Sequence, residues 1–233
     1  MPDGAGKTAG HKTLPHDPTP SPPAETSPLI LACSPRRGGN SDHAASLLRE
    51  AIPHARLVHL RDFAVSPCLS CGRCAVSGTP CPLMQTDDSA PLFAALAKAA
   101  TLFIVSPIYF YHLPAQFKAL IDRSQFLWMN TEHAAASLPD ETMAHARNTR
   151  QNRKAGAVLI GARTAGNHLF TGSILTLRYW LRVFDYTLAD PLTLYGLDHP
   201  EELARHAEGA ERIRHYASGL CSRKTCPSGS GRS

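Results

Sequence analysis

Short apolar runs alternate with stretches of helical period along the chain, and this alternation leaves few folds open. Leu29-Ile30-Leu31-Ala32-Cys33 is a first strand, followed by a turn rich in Ser, Pro, Arg and Gly and by a helix from Ser41 to about Ile52 with Ala44, Leu47 and Leu48 on one face. A second strand is predicted near Arg56 to Leu60, a third from Thr101 to Val105, a fourth from Ala157 to Ile160, and a fifth from Thr187 to Leu194, interrupted by Pro191. Between them, Asp88 or Ser89 caps a helix carrying Leu92, Phe93, Leu96 and Ala100. Pro114 opens a helix whose Phe117, Leu120 and Ile121 face the sheet, and another runs from His168 to about Val183. Glu201 to Ala217 closes the chain's pattern with Leu203, Ala207, Ala210 and Ile213 on one stripe. Five strands alternating with five helices imply an α/β domain with a doubly wound parallel sheet and helices on both faces, because right-handed crossovers allow little else.

At 233 residues there is room for one such domain and not comfortably for two. Residues 1–27 and 219–233 are rich in Pro, Gly, Ser and Lys, cannot bury enough apolar surface to order themselves, and read as disordered tails around a domain at 28–218. Residues 129–154 turn polar without a sustained period and read as an inserted loop. Net charge is +5, but the 24 Lys and Arg are spread out rather than gathered with aromatics, which argues against nucleic acid as a partner. No window approaches the roughly 18 consecutive apolar residues of a membrane span, and the N-terminus lacks a signal-like apolar stretch, so a cytoplasmic protein is expected.

Ligands of a doubly wound sheet bind outside the carboxyl ends of its strands, where the strand order reverses. The loop after the first strand reads Ser34-Pro35-Arg36-Arg37-Gly38-Gly39-Asn40-Ser41. The hydroxyls of Ser34 and Ser41, the Asn40 amide, the N–H groups at Gly38 and Gly39, and the positive end of the next helix converge there as a phosphate cradle, to which Arg36 or Arg37 adds charge. It is neither a P-loop nor a dinucleotide fingerprint, so a mononucleotide fits better. The plain alternative is that Ser41 only caps a helix. After the third strand, Ser106 to Pro114 contains two further prolines' worth of rigidity at Pro107 and Pro114 and three aromatics, Tyr109, Phe110 and Tyr111, which suit a flat heterocycle or a core contact.

Cys68, Cys71, Cys74 and Cys81 lie on one loop, 67–82, with Pro82 following. Four thiols so closely spaced can each take one iron of a [4Fe–4S] cubane. Zinc is a rival occupant, although structural zinc favours two separate knuckles and here two of them share Cys71; vacant or redox-active thiols are another. Cys33, alone on the first strand, is a small buried hydrophobe, and His112 has no nucleophile or carboxylate at a catalytic spacing.

The strings LILACSPRRGGNS (29–41) and SPIYFYHLPAQFKALIDR (106–123) resemble the NAD(P)H-dependent FMN reductase family of flavodoxin-like proteins, and the cysteine spacing resembles its iron-sulfur flavoprotein branch. The resemblance implies a five-stranded sheet in the order 2-1-3-4-5. It implies that Ser34, Arg36, Asn40 and Ser41, with Gly39 between them, hold the FMN phosphate, and that Pro107, Ile108, Tyr109 and Phe110 contact the ribityl chain and ring. It further implies a flavin-dependent oxidoreductase in which the cluster exchanges electrons with FMN, fed by NAD(P)H or a ferredoxin-like protein, and assembled as a homodimer or homotetramer. A reductase with vacant cysteines and a non-catalytic electron carrier are the competing expectations.

Overall fold

A computed structural model describes residues 27–76, 79–129 and 153–221. The expected tails, apart from their innermost residues, and residues 130–152 of the insertion expected over 129–154 lie outside the described residues.

Six parallel strands form one sheet: β1 (Leu29–Ala32), β2 (Arg56–His59), β3 (Thr101–Pro107), β4 (Arg153–Ile160), β5 (Tyr186–Leu188) and β6 (Leu192–Leu194). Their order is β2-β1-β3-β4-β5, with β6 also pairing β4, so the expected 2-1-3-4-5 order is the one found. The fifth strand is two pieces on one edge, since Asp190-Pro191 breaks the ladder between them and proline offers no N–H to it. Strand β4 starts at Arg153, ahead of the expected Ala157, because the Arg153 guanidinium anchors it by donating to Ala97 O at 2.6 Å and to Phe184 O.

The helices are α1 (Asn40–Ala51), α2 (Ser89–Lys98), α3 (Ala115–Arg123), α4 (Thr171–Arg182), α5 (Glu202–Arg205) and α6 (Ala207–Leu220). Alternate residues of each strand point to opposite faces. Leu29, Leu31, Leu102, Ile104, Ala157 and Leu159 pack against α2, α3 and α4. Ile30, Ala32, Phe103, Val105, Val158 and Ile160 pack against α1, α5 and α6.

The closing segment corrects the sequence reading twice. His206 breaks it (φ −100°, ψ 80°) and caps α6, its Nδ1 accepting the Gly209 N–H at 2.9 Å. That break leaves Ala207 exposed, whereas Leu203, Ala210 and Ile213 pack on the core as expected, joined on the buried side by Gly209, Ala217 and Leu220. The helix therefore continues to Leu220, past the expected boundary at 218. Asp88 is the N-cap residue of helix α2, as expected, but the carboxylate that serves the helix start is that of Asp87, whose Oδ1 accepts the Ser89 N–H at 3.0 Å and its hydroxyl at 2.6 Å. Ala100 falls beyond its end.

Candidate functional site

Strands β1 and β3 are neighbours, Ala32 opposite Val105, so the loops that follow them leave the sheet side by side at its carboxyl edge. The Cys33 N–H donates to Val105 O at 2.8 Å, and the Ile108 N–H to Ile160 O at 2.8 Å, which fixes where each loop begins.

In the first loop the N-cap of α1 is Gly39, and Ser41 is already the second helical residue. A mere capping role for Ser41 is thus not what the fold uses. Ser41 is 4% exposed as a residue, and its side chain makes no hydrogen bond among the described residues, nor do the N–H groups of Gly39, Asn40 and Ser41. These donors are the free end of a helix, where an anion is stabilised. Gly38 has φ +69°, a backbone that other residues rarely adopt. A side chain at Gly39 would meet the Arg36 guanidinium, with Nε 3.3 Å from its Cβ, so Arg36 folds back over the cradle. The Ser34 hydroxyl accepts the Arg36 N–H at 3.3 Å and shapes the turn.

Two residues behave differently from the sequence reading. Asn40 spends its amide on the far side: Nδ2 donates to His199 O at 2.8 Å and Oδ1 accepts the Leu203 N–H at 3.0 Å, leaving its backbone N–H for the cradle. Arg37 turns outward to Asp62 at 2.6 Å. Arg61 and Asp42, which no local sequence signal marks, lie beneath the loop as an ion pair at 2.7 Å. His59 sits beside them, its Nδ1 3.5 Å from Asp42 Oδ1; burial lowers its pKa, and the Arg61 charge lowers it further against the pull of Asp42.

The second loop is a tight hairpin. Tyr109 and His112 exchange N–H···O bonds of 2.8 and 3.0 Å across Phe110 and Tyr111, which have φ of +47° and +63°. Two aromatics in the left-handed region are strained, and Phe110 is fully exposed. Pro107 and Ile108 are half-buried below them. Arg163, on the loop after β4, donates to the Tyr111 hydroxyl, and His112 Nε2 lies 3.2 Å from Thr176 Oγ1. A separate cavity of about 410 Å³, lined by Leu192, Glu211, Arg212, His215 and Tyr216, includes no residue of either loop.

The cysteine loop leaves from the end of β2, the strand next to β1. Its base is closed tightly: Ala64 and Asp88 exchange hydrogen bonds of 2.8 Å each, and the Ser66 N–H donates to Asp87 Oδ2 at 3.1 Å. Below the base, Arg123 is 1% exposed and donates to Asp87 Oδ2 at 2.5 Å, Ser66 O at 3.1 Å and Ser89 Oγ at 3.0 Å. Gln116 Nε2 adds donations to Leu60 O and Phe63 O. Cys68, Cys71, Cys74 and Cys81 are all free thiols; the first two are exposed and the last two pack against the core. The described residues do not gather three metal-ligating side chains at any point, these sulfurs included. Cys33 is buried, which pushes its thiol pKa well up and leaves it an inert hydrophobe, as expected. No helix among the described residues is long and apolar enough to cross a membrane.

A doubly wound sheet in this order reverses direction between β1 and β3, and it is there that an anion cradle and an aromatic hairpin stand together, the arrangement of the flavodoxin-like mononucleotide-binding class. Residues 27–174 match the family of NADPH-dependent FMN reductases, and the chain belongs to it. The chain is 31% identical over 102 residues to an iron-sulfur flavoprotein of Methanocaldococcus jannaschii, covering 41% of this chain and 50% of that protein. An iron-sulfur flavoprotein of Methanosarcina thermophila is 31% identical over 101 residues, covering 42% and 51%. The match thus spans about half the length of these curated relatives. Among solved structures, an NAD(P)H:quinone oxidoreductase from Methanothermobacter marburgensis superposes with a TM-score of 0.57 at 15% identity, covering 84% of this chain and 98% of that one. An azoreductase superposes with a TM-score of 0.56 at 12% identity, covering 83% and 100%. These two share the fold.

Proposed function

We propose that the chain is an iron-sulfur flavoprotein: an oxidoreductase that holds FMN between the loops after β1 and β3 and a [4Fe–4S] cluster on Cys68, Cys71, Cys74 and Cys81. The observation that carries this reading is the position of the cysteine loop, which leaves the sheet on the strand adjoining the cradle and is pinned at its base by Asp87, Asp88 and Arg123. Its donor set suits iron, with four reduced thiols, and the Ser70 N–H already donates to Cys68 Sγ at 3.5 Å. Cys74 and Cys81 pack on the same core face as Ile108 of the hairpin loop.

When bound, FMN supplies the conversion between two-electron and one-electron chemistry, and a cluster supplies single electrons. The chain's own residues bind and orient. The N–H groups of Gly39, Asn40 and Ser41, the Ser41 hydroxyl and Arg36 hold the phosphate; Pro107, Ile108, Tyr109 and Phe110 seat ribityl chain and ring. NAD(P)H or a ferredoxin-like protein is the electron donor, and the assembly is a homodimer or homotetramer.

A second reading, an NAD(P)H-dependent FMN or quinone reductase with vacant thiols, is favoured by the exposure of Cys68 and Cys71. One preparation separates the two. Anaerobically purified protein should show a broad shoulder beyond the flavin bands, with about four irons and four sulfides per chain. Cys71→Ser should lose both while keeping FMN. A pure flavin spectrum without iron, bleached by NADH or NADPH, would instead establish the second reading; flavin that neither nicotinamide bleaches, again without iron, would point to a simple carrier.

A further inference from the structure

We infer that Arg61 and Asp42 form a charge-compensated staple beneath the phosphate loop, and that Arg61 sets the site's affinity for the phosphate of FMN rather than for its ring. The inference rests on the FMN reading above and adds two positioning residues to it.

Arg61 lies on the short 3-10 turn Leu60–Asp62 that follows β2, with its side chain 9% exposed. Its Nη1 donates to Ser34 O and to Arg36 O, each at 3.3 Å, and to Asp42 Oδ1 at 2.7 Å; Nη2 donates to Asp42 Oδ2 at 3.0 Å. The same Asp42 Oδ2 accepts the Gly38 N–H at 2.7 Å. The staple therefore grips the loop by two carbonyls and one amide. In a trans peptide the N–H points opposite to the C=O of the same unit. Holding Arg36 O on Arg61 thus aims the Arg37 N–H away from Arg61, to the opposite side of the loop. This is an arrangement a surface ion pair would not impose, since such pairs are held loosely.

The electrostatics make Arg61 more than a scaffold. Asp42 is the third residue of α1, within the first turn whose amides would face the phosphate. A bare carboxylate there would repel the dianion. Around the loop stand Arg36, Arg37 paired with Asp62, Arg61 paired with Asp42, and His59; three guanidiniums against two carboxylates leave one net positive charge, that of Arg36. Without Arg61 the balance is zero, and Asp42 stands uncompensated nearest the cradle. The ring of the flavin lies toward the other loop and would not sense this change.

The test is a fluorescence titration of the full-length apoprotein with FMN and, separately, with riboflavin, which lacks the phosphate. Arg61→Met should weaken FMN binding by about 10- to 100-fold, the range of one or two lost charge-assisted interactions, and riboflavin by less than about twofold. Asp42→Asn combined with Arg61→Met should recover most of the FMN affinity, because it removes the orphaned charge. Riboflavin binding reports in the same sample that each variant is folded, and Arg61→Gln, which removes the charge while keeping a donor for the loop carbonyls, replaces Arg61→Met, with the same expected losses, if the latter does not fold. Equal losses for both ligands, or no recovery in the double variant, would overturn the inference and leave Arg61 a structural residue. Wild type that distinguishes FMN from riboflavin by less than about threefold would also overturn it while leaving the flavin reading intact; wild type that binds neither ligand would defeat that reading itself.

Discussion

Burying a guanidinium is costly unless every charge around it is answered, and at Arg123 the answer comes from the two ends of the cysteine loop. Asp87 is as buried as its partner, with 3% of its side chain exposed. Burial pushes its carboxyl pKa up, but hydrogen bonds from Arg123 and Ser89 outweigh that and hold it below the ordinary aspartate value. A group depressed on folding stabilises the protein above its unfolded pKa, about 3.9, and loses that contribution as pH falls through the folded value. Asp87→Asn should accordingly flatten the acid limb of stability against pH in melts between pH 2 and 5. Arg123→Met, which strands the carboxylate, should cost about 3 to 5 kcal/mol at neutral pH in urea unfolding, and Asp87→Asn in the same chain should return part of it. The sequence does not reveal that Arg123 and Asp87 are partners, because they stand 36 positions apart. The same blindness affects Asn40, whose side chain is claimed by residues 159 and 163 positions away.

Among the elements, the hairpin after β3 is the one whose local chemistry opposes its conformation. A two-residue turn with both φ values positive favours Asn and Gly, yet Phe110 and Tyr111 occupy it. Phe110 has no packing to lose, being fully exposed. Phe110→Asn should therefore stabilise the apoprotein by about 0.5 to 1 kcal/mol. It should weaken FMN binding in the same samples if Phe110 seats the ring, a trade that a purely structural turn would not show; melting and flavin titration measure the two effects. The existence of this loop and its aromatics was legible in the sequence. Its turn type was not, since aromatic residues give no signal for left-handed backbone. The closing segment shows a milder failure: the stripe of Leu203, Ala210 and Ile213 was legible, while the break and cap at His206, which leave Ala207 exposed, were not.

On the scale of the whole molecule, the carboxyl-terminal helix closes the second face of the sheet through a close approach. Gly156 in β4 lies beneath α6, where an added Cβ would come within 2.9 Å of Leu220 Cδ2 and 3.0 Å of Tyr216 Cε1. Tyr216 also accepts the Ala157 N–H at 3.0 Å, and burial raises its pKa. A chain ended at 218, the boundary that composition suggests, loses Leu220 from this contact, and it should be less stable than one ended at 221 by about 1.5 to 3 kcal/mol in urea unfolding. What the sequence determined by itself is what short-range pattern encodes: strand and helix alternation, hence a doubly wound parallel sheet through crossover geometry, the two loops that follow the first and third strands, and four thiols on one segment. Tertiary structure alone decided which polar groups answer one another. Asp42 with Arg61, Asp87 with Arg123, and Asn40 with the start of α5 are each joined only when crossovers bring distant segments to one edge, and no local period or propensity records a partner that chain folding supplies.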